Sequence, residues 1–482
     1  MDELDIFIGG QWRRGGGNLM HSQFPADGAI NAALHAASLD DLQEAIDSAD
    51  RAWREPTWRA MLPHQRAKIL HKVADLIEAQ LDELTQKQSR DNGKPLAEAR
   101  GLVMSAAGTA RYFAAACELL EGELPTPRQA DLLTLSRYEP LGVVAAITPW
   151  NSPIASEMQK VAPAIAAGNA VILKPAEATP LMALELAKIF EQAGLPAGLL
   201  KGSISGDALA RHPKVRKISF TGGTTTGRHL AHVAAEKLIP ASLELGGKSP
   251  TIVLEDADIE QAARGICYGI FSSGGQACIA GSRLFVHDKV YPQLMARLLE
   301  LTQGLRVGHP FSAGTHVGPL INDKHRQSVL EYVELAKREG GSVLCGGEIP
   351  ADPALAAGSY FLPTIVEGLN NRARVCQEEI FGPVLVAMRF RDEAALIREL
   401  EEELNFSVSP EELVPVGRFT DTAANEPGHT VSADIFQIAT NRANFTPTAE
   451  IEEVIWYTPG QARHIKLAPL TENHLLPLLK GA

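Results

Sequence analysis

An α/β fold built around a parallel sheet is predicted by three features of this sequence. Continuously apolar runs such as GVVAAI (142–147) and AVILK (170–174) read as buried strands. They alternate with helical stretches from residue 142 onward, as expected for parallel strands covered by helices on both faces. The third feature is composition: 482 residues with 45% hydrophobic and 21% charged residues suit a soluble globular protein. This length exceeds one core, so two or three domains are expected.

The first 140 residues precede the alternation. Residues 1–36 are predicted to form short strands and Gly-rich turns, and helices are predicted after them. Ser38 is placed to cap a helix over 40–53, and Pro63 opens a second helix whose leucines continue to Leu84. A third helix is predicted over about 96–119. The stretch LLTLSRYEP (132–140) alternates like a strand that Pro140 ends.

The remaining elements follow an α/β order. Strands are predicted at 142–147, 170–174, 217–220, 241–245, 251–255, 282–287, 342–346 and 384–390, and helices at 154–167, 180–193, 225–237, 258–272, 288–304 and 323–339. Ligands of such sheets bind at the carboxyl ends of the strands.

Charge and cysteine usage exclude several classes of function. A net charge of −13 argues against binding nucleic acid or an acidic membrane surface. The five cysteines are scattered and form no CxxC motif, which favours a reducing cytoplasm and no zinc site. The first residues, MDELDIFIGG, lack a signal-type apolar core, and no apolar run is long enough to span a membrane. A cytoplasmic protein is therefore expected.

Cys278 is the candidate nucleophile. It lies in SSGGQACIAGS (272–282), where small neighbours leave room for a substrate carbon to reach the sulfur. By itself this stretch favours a small buried core cysteine. Its partners elsewhere in the chain reverse that preference.

Two polar side chains at strand ends suit the same chemistry. Asn151, in TPWNSP (148–153), has an amide that can donate to an oxyanion, although a turn asparagine is the simpler alternative. Glu244, in LELGGKSP (243–250), follows an apolar strand. Desolvation there would raise its pKa toward that of a general base, and a strand-end glutamate bonded to backbone is the alternative.

Two further strand ends suit a dinucleotide. Lys174 and Glu177, in LKPAEATP (173–180), can bind ribose hydroxyls, and a carboxylate there favours NAD over NADP. A solvated ion pair is the alternative. Gly222, Gly223 and Gly227, in FTGGTTTG (220–227), bracket a strand-to-helix turn where a helix N-terminus attracts phosphate. The spacing is not G-x-G-x-x-G, so this motif is weak alone.

Taken together, the motifs PWN, KPAE, FTGGTTTG, LELGGKSP, GGQACIAGSR and EEIFGP (378–383) resemble the aldehyde dehydrogenase superfamily over residues 5–396. The resemblance implies an aldehyde dehydrogenase-like fold with a Rossmann-type parallel-sheet cofactor domain at 1–246 and an α/β catalytic domain at 247–396. It also implies NAD, with NADP possible, as cofactor and a small-molecule aldehyde as substrate.

The resemblance assigns a role to each site residue. Cys278 matches the nucleophile, Glu244 the general base and Asn151 the oxyanion donor. Cofactor contacts match Trp150, Lys174, Glu177, Gly222, Gly223 and Gly227, with Glu379 on the nicotinamide ribose and Phe381 beside the nicotinamide. A base at position 244 resembles the hydrolytic branch of the family rather than the CoA-dependent one.

The sequence departs from the family pattern in two places. Between Pro196 and Gly206 only Leu199 and Leu200 remain as strand material. After about Ile397 the segment 397–482 resembles the rear half of a Nudix hydrolase, an incomplete α+β tail. Its candidate Mg²⁺ ligands share one predicted helical face and are Glu399, Glu402 and Glu403.

Three functions therefore stay open at this stage: an aldehyde dehydrogenase, a Mg²⁺-dependent Nudix-type nucleotide hydrolase in the tail, or a non-catalytic hybrid that still binds nucleotide. The front-half Nudix positions hold Val384 and Phe390 instead of Gly and Glu, and a solvated acidic helix face is the alternative for the tail glutamates. In the family, subunits pair through a strand that 132–140 resembles. Its docking strand has no counterpart here, so weakened oligomers are expected.

Overall fold

The computed structural model describes residues 3–126, 128–129, 131–202, 206–391, 413–422 and 430–438. Two compact units can be distinguished, Met1–Phe285 with Pro292–Met388 and Val286–Tyr291 with Arg389–Ala482. The predicted division into domains at 246 and 396 follows different boundaries and stays a prediction.

Short strands and five helices open the first unit. The strands are β1 (Glu3–Leu4), β2 (Ile6–Ile8), β3 (Gln11–Arg13), β4 (Leu19–Gln23) and β5 (Ile30–His35), and the helices are α1 (Leu39–Arg54), α2 (Pro56–Arg59), α3 (Pro63–Ala79), α4 (Leu81–Asn92) and α5 (Leu96–Glu118). The predicted cap at Ser38 is confirmed, because its hydroxyl accepts from the Asp41 N–H while the Asp41 carboxylate accepts from the Ser38 N–H. The single helix predicted from Pro63 is two helices, since Gln80 leaves helical geometry at φ −106° and ψ 17°.

A five-stranded parallel sheet forms the centre of the first unit, in the order β10-β9-β6-β7-β8. Its strands are β6 (Val143–Ile147), β7 (Ala170–Lys174), β8 (Leu200–Gly202), β9 (Val215–Thr221) and β10 (Ala241–Glu244). Every residue of β6 and the first four of β7 are buried, which confirms the prediction of strands covered on both faces. The strand expected to be nearly lost after Pro196 is present as β8, three residues long and paired with β7.

Helices connect these strands in the predicted alternation: α6 (Pro153–Ala166), α7 (Leu181–Gln192), α8 (Gly206–Arg211) and α9 (Thr224–Lys237). Each of these helices joins two parallel strands. The carboxyl ends of β6, β7, β9 and β10 therefore lie at the same edge of the sheet.

A second sheet has the order β11-β12-β15-β14-β13, with β14 parallel to β15 and antiparallel to β13. Its strands are β11 (Pro250–Val253), β12 (Arg283–His287), β13 (Ser342–Cys345), β14 (Thr364–Glu367) and β15 (Val384–Phe390), and its helices are α10 (Ile259–Phe271), α11 (Tyr291–Gln303), α12 (Asp323–Arg338) and α13 (Arg374–Gln377). Sequence patterns did not predict β14, a four-residue strand.

The strand predicted at 132–140 is wrong for the described residues, since this stretch belongs to no strand there. Apolar alternation marks a half-buried strand only where one face is covered. Here Leu133, Leu135 and Tyr138 are all exposed, and the backbone bond from Ser136 N–H to the Glu123 carbonyl does not extend into a ladder.

The second unit contains an antiparallel pair, β16 (Leu413–Thr422) and β17 (Thr430–Ile438). Within the same unit, the Arg391 guanidinium lies 2.7 Å from the Asp288 carboxylate. The proposed metal ligands Glu399, Glu402 and Glu403 lie outside the described residues. Among the helices of the described part, none has the length and apolar character needed to cross a bilayer.

Two carboxyl groups are buried where α4, α6 and α7 pack together. Asp91 accepts from the backbone N–H groups of Leu181 and Met182, at 3.1 and 3.3 Å. Burial raises the pKa of Asp91 to about 8, and these hydrogen bonds only partly oppose it. Glu157 is fully buried, and among the described residues neither of its carboxyl oxygens has a hydrogen-bond partner. Burial, with the nearby Asp91, raises the pKa of Glu157 well above its ordinary value.

Glu157→Gln is expected to stabilise the protein more at pH 8 than at pH 5. The folded protein keeps the Glu157 proton at pH values where the unfolded chain has released it. The free energy of unfolding therefore falls as pH rises above the ordinary value of 4.5. An amide removes that dependence, and the melting temperature should rise by about 2 °C or more at pH 8.

Thermal unfolding of wild type and variant at both pH values measures this difference. The matched control is Glu118→Gln, because Glu118 is exposed at the end of α5. An equal shift at pH 5 and pH 8 would contradict an ionisation effect at Glu157.

Candidate active site

Register in the first sheet aligns the predicted site residues. Ile147 pairs with both Lys174 and Phe220, and Glu244 pairs with Thr221. The chain leaves each of these parallel strands at nearly the same level, so the segments that follow them share one edge. The PWN, KPAE, FTGG and LELGG motifs, which the sequence placed at strand ends, therefore share this edge.

Cys278 lies in the loop between α10 and β12, three residues after a 3₁₀ turn at Ser272–Gly275. Of the five cysteines it alone is exposed, while Cys117, Cys267 and Cys376 are buried. The turn can form because Gly274 and Gly275 adopt φ values of +61° and +68°, and a side chain at Gly275 would collide with the Gly382 carbonyl. The predicted buried-cysteine alternative is therefore wrong for Cys278.

Asn151 is tied to this loop directly. Its side-chain Nδ2 donates to the backbone carbonyl oxygen of Gln276 at 2.9 Å. The backbone carbonyl of Asn151 accepts from the Asn92 side-chain amide at 3.0 Å. Gln276 is itself fixed, since its Oε1 accepts from the Ile321 N–H at 2.9 Å. A carboxamide has two N–H groups, so Asn151 can still donate toward a group held near Cys278.

Burial and two carboxylates act on the pKa of the Cys278 thiol. Partial burial raises its pKa, and the carboxylates of Glu379 and Glu244 raise it further, while backbone N–H groups of Cys278 and Ile279 lower it. The net direction is upward, so the thiol form is favoured in this arrangement. Reactivity at this cysteine then depends on access and on removal of its proton as it reacts.

Glu244 ends β10 and is exposed, so the predicted desolvation of its carboxylate is wrong. The reason is topological: β10 is the edge strand of its sheet, and its residues alternate between half-buried and exposed. The negative charge of Glu244 nevertheless acts on Cys278 and on Lys160. Burial lowers the pKa of the Lys160 ammonium to about 8, and Glu244 opposes that shift.

The Lys174 ammonium forms a close ion pair with the Glu177 carboxylate at the end of β7. Lys174 is mostly buried, whereas the Glu177 side chain is 68% exposed. Burial raises the pKa of Glu177, but the hydrogen bond and charge of Lys174 outweigh it and hold the pKa below its usual value. The carboxylate is therefore ionised and accessible at neutral pH.

Glu379 and Phe381 meet the site from the segment that precedes β15. The Glu379 Oε1 accepts from the Gly247 N–H at 3.3 Å, and a Cβ at Gly246 would overlap this carboxylate. The Phe381 ring packs edge to face on Trp150, with centroids 5.2 Å apart. Phe381 and Trp150 are therefore in contact, and the charge of Glu379 acts on Cys278.

The chain is similar to known proteins in sequence and in fold. The sequence model of the aldehyde dehydrogenase family matches residues 12–403. The chain belongs to the aldehyde dehydrogenase family. Its activity is the NAD(P)-dependent oxidation of an aldehyde.

Individual relatives agree with that assignment. A phenylacetaldehyde dehydrogenase of Pseudomonas fluorescens is 39% identical over 407 residues, which is 82% of this chain and 80% of the relative. The NAD⁺ complex of an aldehyde dehydrogenase from Bacillus cereus has a TM-score of 0.80 at 35% identity, covering 86% of this chain and 83% of that one. An NAD-dependent aldehyde dehydrogenase from Sinorhizobium meliloti has a TM-score of 0.79 at 34% identity, covering 82% and 80%.

The glycines of this aldehyde dehydrogenase fit a phosphate-bearing cofactor. Gly223 precedes α9, and in the described part of the chain no side chain caps that helix. A Cβ at Gly223 would meet no described atom within 4 Å, so the open space is not filled by packing. Gly222 and Gly227 differ, because a side chain there would collide with Phe220 or Leu245. The N–H groups of the first turn of α9, which follows Gly223, therefore suit a phosphate, and the other two glycines allow the turn to pack.

Several residues of the site carry no motif signal in the sequence. Asn92 donates to the Asn151 backbone, the charge of Glu244 acts on Lys160, and His325 contacts Phe381. Each lies on a helix or loop far along the chain from its partner. Only Lys160, a lysine in the apolar run of α6, is conspicuous in the sequence as a charge among buried residues.

Cys278 is expected to be alkylated first among the five cysteines at neutral pH. Access decides the order, because burial raises the pKa of the other four thiols as well. A time course with iodoacetamide, followed by peptide mass spectrometry, should show modification at Cys278 about tenfold faster than elsewhere. Faster labelling of the half-buried Cys345 would contradict the assignment.

Proposed function

We propose that this chain oxidises its aldehyde through a covalent intermediate on Cys278, with Asn151 and Glu244 as the oxyanion donor and the general base. The observation that supports this most is the convergence of three groups on one loop. Cys278 is exposed, the Asn151 amide bonds to that loop, and the charge of Glu244 acts on the thiol. A thiol, a donor and a carboxylate are the groups that acyl transfer from an aldehyde needs.

The first step forms a bond between Sγ of Cys278 and the aldehyde carbon. The carbonyl electron pair moves to oxygen, and the developing charge is stabilised by the second Asn151 N–H and the Cys278 backbone N–H. Donors preorganised for such an oxyanion contribute about 10²–10³ in kcat. The raised pKa of the thiol requires its proton to leave to solvent as the sulfur attacks.

The bound dinucleotide would supply the second step by accepting the hydride and its electron pair from the former aldehyde carbon. Lys174 and Glu177 are proposed to hold its adenosine ribose, Gly223 its phosphates, and Glu379 its nicotinamide ribose. The ionised, accessible carboxylate at position 177 would repel the 2′-phosphate of NADP, so NAD is the preferred cofactor.

Glu244 completes turnover by taking a proton from a water molecule that attacks the thioester carbon. The carbon–sulfur bond then breaks, the carboxylic acid leaves, and the sulfur regains its proton. An exposed carboxylate has direct access to the water that must lose its proton.

An arylacetaldehyde is the first substrate class to test, because the similar Pseudomonas fluorescens protein is a phenylacetaldehyde dehydrogenase. The Nudix-like resemblance of 397–482 stays a prediction, as its glutamates lie outside the described residues. We propose no hydrolase activity for it.

Glu244→Gln is expected to give one equivalent of NADH and then stop. The amide leaves attack and hydride loss intact but cannot take the proton from water, so the thioester on Cys278 persists. Stopped-flow absorbance of NADH measures the burst, and intact-protein mass spectrometry measures the acyl adduct. Steady-state kcat should fall at least 10²-fold.

Cys278→Ala serves as the matched control and should show neither burst nor adduct. Loss of the burst in Glu244→Gln would mean that Glu244 acts before deacylation. NADH formation that survives in Cys278→Ala would contradict the covalent route altogether.

Assembly is proposed to be weakened relative to the family. The segment 119–141 exposes large apolar side chains, with Leu133 at 70% and Leu135 at 68% exposure, and its backbone pairs with no described strand. Light scattering should detect a monomer or a broad aggregate, and Leu135→Lys should reduce the aggregate. Leu238→Lys, at an exposed leucine elsewhere, is the control. A sharp dimer or tetramer that survives dilution would contradict this proposal.

A further inference from the structure

The segment Glu378–Gly382 has a backbone that needs external support. Phe381 has φ +55°, the left-handed region that side chains other than glycine rarely adopt. This residue and Glu379 are the two that the proposed function assigns to the nicotinamide half of the cofactor. Whatever holds this backbone also fixes where their side chains lie.

One face of α12 contacts this segment three times. Its residues His325, Val329 and Tyr332 are spaced i, i+4 and i+7, so they share a face of the helix. We name these three residues the α12 stripe. All three residues of the stripe contact the segment, so the packing does not depend on a single contact.

Each contact of the stripe is specific. The His325 Nε2 lies 2.7 Å from the Phe381 carbonyl oxygen, and Tyr332 Oη donates to the Glu378 carboxylate at 3.0 Å. Val329 lies against Gly382, where an added Cβ would be 2.6 Å from its Cγ2. Since a carbonyl can only accept, His325 must carry a hydrogen on Nε2.

His325 also belongs to an aromatic cluster. Its ring meets Trp150 edge to face at 5.3 Å, and Trp150 meets Phe381 at 5.2 Å. Burial lowers the pKa of His325, which keeps the ring neutral. The three rings fix one another, so a change at His325 is transmitted to both Phe381 and Trp150.

The nucleophile loop contacts the same segment. Gly275, three residues before Cys278, packs so closely on the Gly382 carbonyl that no side chain fits between them. The segment is therefore held by α12 and also by the turn that presents Cys278. Simple core packing would need apolar side chains, whereas two of the three stripe residues are polar and aimed at polar groups.

We propose that the α12 stripe, with His325 as its principal positioning residue, holds Glu379 and Phe381 in place for the nicotinamide half of the dinucleotide. This inference rests on the proposed function, because that function assigns those two residues to the cofactor. His325 acts through the Phe381 backbone and takes no part in the bond changes.

The test compares two ligands on the cofactor-free full chain by titration calorimetry. NAD has both halves of the dinucleotide, whereas ADP lacks the nicotinamide ribose and the nicotinamide. His325→Ala should raise the Kd for NAD about tenfold, the loss of one buried hydrogen bond, and leave the Kd for ADP within twofold of wild type. The alkylation rate of Cys278 should stay near the wild-type value.

Three further variants separate positioning from general damage. His325→Gln keeps an N–H that can reach the Phe381 carbonyl, so its Kd for NAD should lie nearer wild type. Tyr332→Phe removes the Glu378 contact and should weaken NAD binding without affecting ADP. Gln327→Ala, on the exposed side of the same helix, should change neither Kd. If His325→Ala does not fold, the comparison of His325→Gln and Tyr332→Phe with wild type decides.

The inference is overturned if His325→Ala binds NAD within twofold of wild type, if NAD and ADP weaken equally, or if Gln327→Ala behaves like His325→Ala. A folded wild type that binds neither ligand overturns the proposed function, and the inference with it. Wild type that binds both ligands while His325→Ala loses nothing overturns the inference alone.

Discussion

The hydrogen bond from Asn151 to the Gln276 carbonyl is the constraint on which the site depends. Asn151 follows β6 in the first sheet, and Gln276 stands two residues before Cys278, so 125 residues of chain are closed by one side chain. Asn92 holds the Asn151 backbone from α4, and the Ile321 N–H holds Gln276 from the other side. Four distant segments therefore fix the Asn151 amide, the proposed oxyanion donor, relative to the thiol. Such fixed geometry is what makes an oxyanion donor effective, since no reorganisation is needed during the reaction.

The surroundings of Cys278 keep its thiol protonated before substrate binds. Burial, and after it the carboxylates of Glu379 and Glu244, raise the pKa of the Cys278 thiol, so a bound substrate meets a thiol and not a permanent thiolate. A thiol is oxidised or alkylated less readily than a thiolate. Removal of the proton then coincides with attack on the substrate.

Much of this architecture could be predicted from the sequence, because parallel strands such as Ala170–Lys174 are apolar without interruption and end in recognisable turns. The site motifs were equally visible, since each follows such a strand. Sequence patterns gave wrong predictions where the structure of a segment depends on the segments that pack against it. The alternation at 132–140 resembles a strand, but exposure on every face left it without a ladder, and the carboxylate of Glu244 is exposed because β10 lies at an edge. Residues such as His325 and Gln276 act through tertiary contacts that no local spacing indicates.

Gly246 illustrates how tightly a dehydrogenase site can restrict its own sequence. The Glu379 carboxylate occupies the space where a side chain at position 246 would begin. Every missense change of a glycine codon introduces a Cβ, so each single-nucleotide missense replacement at this position would push the Glu379 carboxylate out of its place. Gly246 has no functional group of its own. Its contribution is the room that the Glu379 carboxylate fills, and that room is the one property which mutation away from glycine cannot preserve.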